Sequence, residues 1–393
     1  MSYKKVKISD IGKIVSGATP KTKDVDNYGG SIAWITPADL SGYTSKYISH
    51  GSRNITQKGY DSCSTHLMPR GTVLFSSRAP IGYVAIAENP ICTNQGFKSI
   101  VPNDDIDSEF LYYQLQYLRK KIQEKGSGTT FKEISGKVLG ETDIVVPSLE
   151  EQSRIVSRID ELFSELDKAV DTLKTTKEQL EVYRQAVLKD AFSDFEKKDS
   201  IRNLTMVVTS GSRGWAKYYS NSGALFVRIG NLTHSGIDID FRDIQHITPP
   251  DNAEGVRTRL QPNDVLVSIT ADLGSIGFVS EKVEEAYINQ HIALVRFQNP
   301  VQGRFMAWYL RSEYGQKDLL KNKRGGGKLG LGLDDIRDTP VPIVDDITAT
   351  EIVDKVEEQL SVCDSIEKTV DTALAQTDAM RQSILKQAFE GKI

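Results

Sequence analysis

Two stretches of this chain, 155–194 and 352–391, carry apolar residues at three- and four-residue steps with no proline and no glycine before Gly391. In the first, Ile155, Ile159, Leu162, Leu166, Ala169, Leu173, Leu180, Tyr183 and Val187 recur. In the second, Ile352, Val356, Leu360, Cys363, Ile366, Val370, Leu374, Met380 and Ile384 do the same. That spacing lines one side of a helix, so each stretch is predicted as a long helix with a single coiled-coil-like seam. Forty residues at a rise of 1.5 Å reach roughly 60 Å. Both follow a proline, Pro147 or Pro342. Ser148-Leu149-Glu150-Glu151 and Thr348-Ala349-Thr350-Glu351 then fit the S/T-x-x-E box that satisfies the free N–H groups of a helix start. Elsewhere the pattern is that of strands rich in β-branched and aromatic residues, at 72–77, 83–87, 97–102 and 143–147, and again at 264–269, 277–280, 291–297 and 339–344. Shorter helices are predicted at 109–123 and 303–320. Their aromatics (Phe110, Tyr112, Tyr113, Tyr117; Phe305, Trp308, Tyr309) sit at helical spacing and read as core. The strands do not alternate regularly with helices, which predicts α+β domains.

The two halves are copies. Residues 155–194 align with 352–391 at a constant offset of 197, matching Ile155/Ile352, Asp167/Asp364, Thr172/Thr369, Gln179/Gln376, Arg184/Arg381, Leu188/Leu385 and Phe192/Phe389. Ahead of the helices, 71–77 falls on 263–269 at offset 192, and Thr93-Asn94-Gln95 on Ile288-Asn289-Gln290 at offset 195. A gapless helical repeat between globular parts that tolerate small gaps is the mark of a tandem duplication. The expected division is a globular domain at 1–147, a long helix at 148–197, a second globular domain at 198–346 and a second long helix at 347–393. The helices are each other's nearest candidate partner. If the halves are related by a pseudo-twofold axis, the helices pair as an antiparallel coiled coil. Two similar modules at a set spacing suit the reading of a two-part linear target.

Composition narrows the class. Apolar residues make up 39% and charged residues 26%, ordinary for a globular protein. No apolar run approaches the length of a membrane span, and the start lacks the apolar stretch of a signal peptide, so no membrane contact is expected. Cys63, Cys92 and Cys363 are odd in number and unpaired in spacing, which suits a reducing cytoplasm. The net charge of −4 looks wrong for a nucleic-acid binder until it is divided. Residues 1–150 carry +3 and 198–350 are neutral, while 151–197 carry −3 and 351–393 carry −4. The acidity lies on the helices, which reads as a solvated face or as a surface for protein.

Motifs of catalysis are missing. There is no phosphate loop, no HExxH, no CxxC pair, no GxSxG and no [DN]PP[YF] motif for adenine methylation. Gly325-Gly326-Gly327-Lys328-Leu329-Gly330 satisfies G-x-G-x-x-G but follows a basic run instead of a strand, so a dinucleotide site is not expected. No catalytic or metal site, and no cofactor in this chain, is expected.

The candidate binding residues are cations and small polar groups in loops. Lys323, Arg324 and Lys328 lie among glycines, and Thr129, Thr130 and Lys132 occupy the matching place. Such loops either bring backbone N–H and Lys/Arg to phosphate or are plain solvated surface. Asn and Gln can pair with adenine and Arg with guanine. Yet Asn94-Gln95 and Asn289-Gln290 are identical in both halves, which favours a shared structural turn. Residues that differ between the halves are better candidates for specificity: Lys21, Lys23, Arg78 and Lys132 against Arg213, Lys217, Arg228, Thr270, Lys323 and Arg324.

This organisation resembles the specificity subunit of type I restriction-modification systems. The resemblance rests on Gly17-Ala18-Thr19-Pro20, ITPADL (35–40), PRGTVLFSS (69–77), TNQGFKSIVP (93–102), VVPSLEEQSRIVSRIDEL (145–162) and the ending AFEGKI (388–393). It covers the whole chain. The second half departs from it at 341–346 and in SGSRGWAKYY (210–219). The resemblance implies two target-recognition domains alternating with two long helices. It implies a subunit without chemistry of its own that reads an asymmetric, bipartite site on double-stranded DNA. Two modification (methyltransferase) subunits, which bind S-adenosylmethionine, and restriction endonuclease subunits would dock on it. The rival readings are a self-contained nuclease or methyltransferase and a coiled-coil adaptor that never touches DNA.

Overall fold

A computed structural model describes residues 4–128, 132–195, 198–251, 253–321, 323 and 329–393. Its contacts divide the chain into two units, Met1–Thr172 with Ala373–Ile393, and Leu173–Thr372.

The centre of the first unit is a sheet in the order Gly12–Ser16, Lys98–Pro102, Val73–Ser77, Ile81–Ala87, Tyr47–Ile48. Val73, Leu74 and Phe75 are fully buried on the middle strand, so both faces of the sheet are covered. The helix Ser108–Glu124 lies on one face. It starts at Asp107, whose side chain accepts from Phe110 N, and it buries Phe110, Leu111, Tyr112, Tyr113 and Leu115. The expectation that these aromatics are core is met. A short parallel pair, Trp34–Ile35 with Cys92–Thr93, stands beside the sheet, and Lys4–Lys7 pairs antiparallel with Asp143–Val146.

The second unit repeats this plan. Thr205–Ser210, Ile292–Phe297, Val265–Ser268 and Ile276–Phe278 follow one another in the same order. Ala224–Val227 pairs in parallel with Ala286–Ile288, and Lys198–Ser200 antiparallel with Pro340–Pro342. The segment 303–320 is two helices, Gln302–Arg311 and Glu313–Leu319, where the pattern predicts one. The break is at Ser312, whose hydroxyl donates to Tyr309 O and accepts from Gly315 N, so it caps the second helix.

The long helices are Leu149–Ala191 and Asp346–Phe389. Glu151 N donates to Ser148 Oγ at 3.4 Å, as the first tetrad predicts. The second helix begins at Asp346, two residues before its predicted cap Thr348. Asp345 accepts from Thr348 N and Oγ1 at 2.9 and 3.0 Å, and these bonds hold its carboxyl below the usual carboxylate range. A charged cap also suits the positive end of the helix dipole.

In each unit the two helices run antiparallel. In the first, Ile155, Ile159 and Phe163 share a core with Leu385, Ala388 and Phe389, and Arg381 is paired with Asp167. In the second, Val187, Leu188 and Phe192 share a core with Val353, Val356 and Leu360, and Arg184 reaches Asp364 at 2.6 Å. The two ion pairs are one pair repeated at the offset of 197. The seam departs from the sequence pattern at several places. Ala169, Tyr183, Ile366 and Met380 are exposed, while Phe163 and Arg184 are buried. Arg184 can turn inward because Asp364 and Glu367 meet its guanidinium.

Candidate nucleic-acid interface

At one end of the first unit's sheet four loops lie side by side. Gly17 abuts the backbone at 93–94: a Cβ there would stand 2.1 Å from Thr93 O and 2.2 Å from Asn94 O. Ala18 N donates to Thr93 O at 3.0 Å, and the Thr19 hydroxyl donates to the Gln95 side-chain carbonyl. The Asn94 side chain accepts from Gly96 N and closes its own turn, while Gly96 O accepts from Ser77 N at 2.7 Å. Ser77 O then accepts from Ile134 N, and Arg78 bridges to Glu133. The loops around 17–21, 94–96, 77–80 and 132–134 therefore form one continuous patch.

Of the predicted residues here, Lys21, Lys23 and Lys132 are exposed and Arg78 is half-buried. Lys21 is carried on a fixed backbone, since its carbonyl accepts from Asn27 Nδ2 at 3.1 Å and Pro20 O accepts from the Tyr28 hydroxyl at 2.9 Å. Thr129 and Thr130 lie outside the described residues. Sequence reasoning missed two cations. Arg53 stacks over the Tyr28 ring at 3.5 Å. Lys98 points from the start of its strand to 4.0 Å from Glu133. Burial lowers the Lys98 ammonium from its usual range, with Glu133 opposing and Arg78 adding to the shift. Alignment of the halves at offset 195 carries the signal for Lys98, because its counterpart is Ala293.

The second unit rebuilds the patch with other side chains. Gly211 takes the place of Gly17: a Cβ would meet Ile288 O and the Asn289 carbonyl carbon at 2.4 Å. Asn289 Oδ1 accepts from His291 N at 3.0 Å, the same turn that Asn94 makes. His291 O accepts from Ile269 N, and Ile269 O from Leu331 N, both at 2.9 Å. Ser76 and Ser268 also match, each accepting at 2.8 Å from the backbone N–H of the next strand or turn, Tyr83 or Ser275. The structural reading of Asn94 and Asn289 is thereby supported, since both side chains serve their own turns.

Arg213 and Lys217 are exposed on the loop after Gly211. That loop is anchored by Glu254, which accepts from Ser212 N and Oγ and from Trp215 Nε1 and pairs with Arg257 at 2.6 Å. Burial opposes its ionisation, but Arg257 and the Ser212 and Trp215 donors outweigh burial and keep the carboxyl below its usual range. Arg228 is less free than its sequence context implies, because its Nη2 donates to Asp243 O at 3.2 Å. It lines a recess of about 670 Å³ with Asn231, Asp240, Arg242, Asp243 and Asn289. The Thr270 hydroxyl is bonded to His291 Nδ1, and Thr270 bridges to Gly330. Lys323 is exposed just after Glu313–Leu319, and among the described residues no hydrogen bond or ion pair joins its side chain to the other candidates. Arg324 and Lys328 lie outside the described residues.

A framework built twice from the same hydrogen bonds and carrying different side chains is the geometry of a pair of related readers. Known proteins resemble this chain. Residues 2–182 match the family model described as "Type I restriction modification DNA specificity domain". The MjaIX specificity subunit of Methanocaldococcus jannaschii is 39% identical over 60% of this chain and 59% of its own length. The EcoBI specificity subunit of Escherichia coli is 24% identical over 100% of this chain and 86% of its own. This chain thus spans about three-fifths of the first relative and most of the second. In a solved structure concerned with assembly and conformational transition of the type I R-M system, one chain matches 100% of this one and 98% of itself. The TM-score is 0.76 at 17% identity, a likeness of fold. The chain is thus similar to type I restriction enzyme specificity subunits, and its residues 2–182 match their DNA specificity domain. These matches give the adaptor reading no support.

Proposed function

We propose that this chain reads an asymmetric, two-part site on double-stranded DNA, each unit serving one half through its loop patch. The observation that carries the reading is the repeated loop framework with divergent side chains. Phosphate contacts hold register and carry no sequence, whereas side chains at base edges carry it. Exposed Lys21, Lys23, Lys132, Arg213, Lys217 and Lys323 suit phosphate. Arg78 and Thr270 sit where the two patches differ. The chain does no chemistry itself. It recruits two modification subunits, which bring S-adenosylmethionine and methylate adenine, and restriction endonuclease subunits join the same cytoplasmic assembly. The paired long helices set the number of unread base pairs, and their acidic outer faces receive protein.

The test is an exchange of residues 1–150 with those of a relative of different specificity, read by methylome sequencing of the host. One half of the methylated sequence changes and the other stays. Change in both halves, or in neither, refutes the modular reading.

A further inference from the structure

Behind the Asn94–Gly96 turn of the first unit three charged side chains converge. Arg78 Nη1 is 4.0 Å from one oxygen of the Glu133 carboxylate and Lys98 Nζ is 4.0 Å from the other. Both distances are ion pairs too long to be hydrogen bonds. One carboxylate thus faces two cations. The Arg78 guanidinium donates no hydrogen bond among the described residues, and its side chain is 35% exposed against 13% for Lys98. Of the two cations, Arg78 is the one that reaches outward with its donors free, beside the 44% exposed Glu133 side chain.

The second unit builds the same backbone around three neutral residues. Thr270 bridges Gly330 as Arg78 bridges Glu133. Ile269 N bonds His291 O as Ser77 N bonds Gly96 O, which puts Ala293 in the place of Lys98. The frame therefore stands without the charges, and their presence in the first unit serves something other than the fold.

We propose that Arg78 is a specificity-determining residue that reads a guanine in the half-site served by the first unit, with Glu133 and Lys98 as positioning residues. The planar guanidinium fork matches the two acceptors, O6 and N7, on the major-groove edge of guanine, whereas adenine offers a donor in place of O6. Glu133 aims the fork from one side. Lys98, nearly buried and on the same carboxylate, keeps Glu133 from closing on Arg78 and leaves the trio with a net positive charge. The second unit, with Thr270 at this position, has no arginine fork there. This inference rests on the proposed DNA-reading function.

The experiment uses the full chain assembled with its modification subunits, the host methylome as one readout and binding to duplexes carrying the recognised sequence as the other. In Arg78→Thr, preference for one guanine in the first unit's half-site falls by roughly ten- to a hundredfold over the other bases. The other half-site is unchanged. Arg78→Lys retains guanine with reduced preference. Glu133→Gln weakens fidelity at that same base pair while methylation at the correct site persists, an effect that loss of folding does not mimic. Hydrogen exchange over 73–102 stays as in the parent chain. An unaltered recognition sequence in Arg78→Thr, an alteration confined to the other half-site, or a first half-site without a G·C pair overturns the assignment and leaves the DNA-reading function standing. Host methylation that is independent of the unmodified chain overturns both.

Discussion

Gly17→Ala is the sharpest probe of the loop patch. A Cβ at 17 would stand 2.1 Å from Thr93 O and 2.2 Å from Asn94 O, both backbone atoms that cannot rotate away. Reaching a tolerable 3.0 Å or more requires the two strands of backbone to part by about 1 Å. That movement stretches the 3.0 Å bond from Ala18 N to Thr93 O past hydrogen-bonding range. Forced overpacking costs about 1–3 kcal/mol and the lost bond about 1 more, giving local destabilisation of about 2–4 kcal/mol. Local opening of the 17–23 loop should then rise by roughly thirty- to a thousandfold. Hydrogen–deuterium exchange of peptides covering 17–23 and 91–97 measures it, and sequence-specific DNA binding by the assembled subunit should fall in parallel. Gly136→Ala is the control. Its new Cβ comes no nearer than 3.6 Å to any neighbour, at the first position of the helix Gly136–Gly140, and stability should be unchanged or slightly raised. Exchange at 17–23 that is the same in both variants would refute the steric argument.

Three further outcomes follow. Phe389→Ala removes a ring that meets Phe110 and Tyr117, each at a 5.5 Å centroid distance, and should cost about 3 kcal/mol. Exchange should quicken in peptides of 108–124 and not of 302–319, whereas Phe192→Ala should do the reverse. Asp364→Ala should cost less than about 1 kcal/mol, because Asp364 is 69% exposed and Glu367 still meets Arg184 at 3.0 Å; chemical denaturation of the two variants Asp364→Ala and Arg184→Ala should show the larger loss in Arg184→Ala. Asp39 caps the turn Pro37–Leu40, and its bonds from Ser52 and Thr36 outweigh burial and hold its carboxyl below the usual carboxylate range. Its contribution is complete above the ordinary carboxylate value and is lost as pH falls through the lower folded-state one. Asn231, which caps the matching turn of the second unit, does not titrate. Exchange normalised for intrinsic rate should therefore rise from pH 6 to pH 3 in peptides of 34–41 and not of 226–233.

Much of this architecture is written in periodicity. The two long helices, eight of the strands and the duplication appear in spacing, because each depends on local apolar pattern alone, whereas Gly12–Ser16 and Thr205–Ser210 of the central sheets do not. What pattern conceals depends on neighbours distant in sequence. Arg184 takes a seam position that its charge forbids in isolation, and only Asp364 and Glu367 make that burial tolerable. Ser312 breaks a helix whose apolar spacing continues across it. Asp345 outcompetes Thr348 for the helix start because its carboxylate binds both Thr348 donors. In the loop patch, Arg78 and Lys132 were visible as basic residues that differ between halves. Lys98 and Glu133 were not, since one lies within a strand pattern and the other is an ordinary acid until 78 and 133 are brought together.

The first unit is not an unbroken piece of chain. The wall that Phe389 and Leu385 supply to it is translated more than two hundred residues after the sheet it covers. On the ribosome that sheet waits with an open apolar flank until the turns carrying Leu385 and Phe389 emerge. A laboratory shuffle that transplants 1–150 alone inherits the same dependency: the graft fits only where the recipient's 373–393 presents a matching surface.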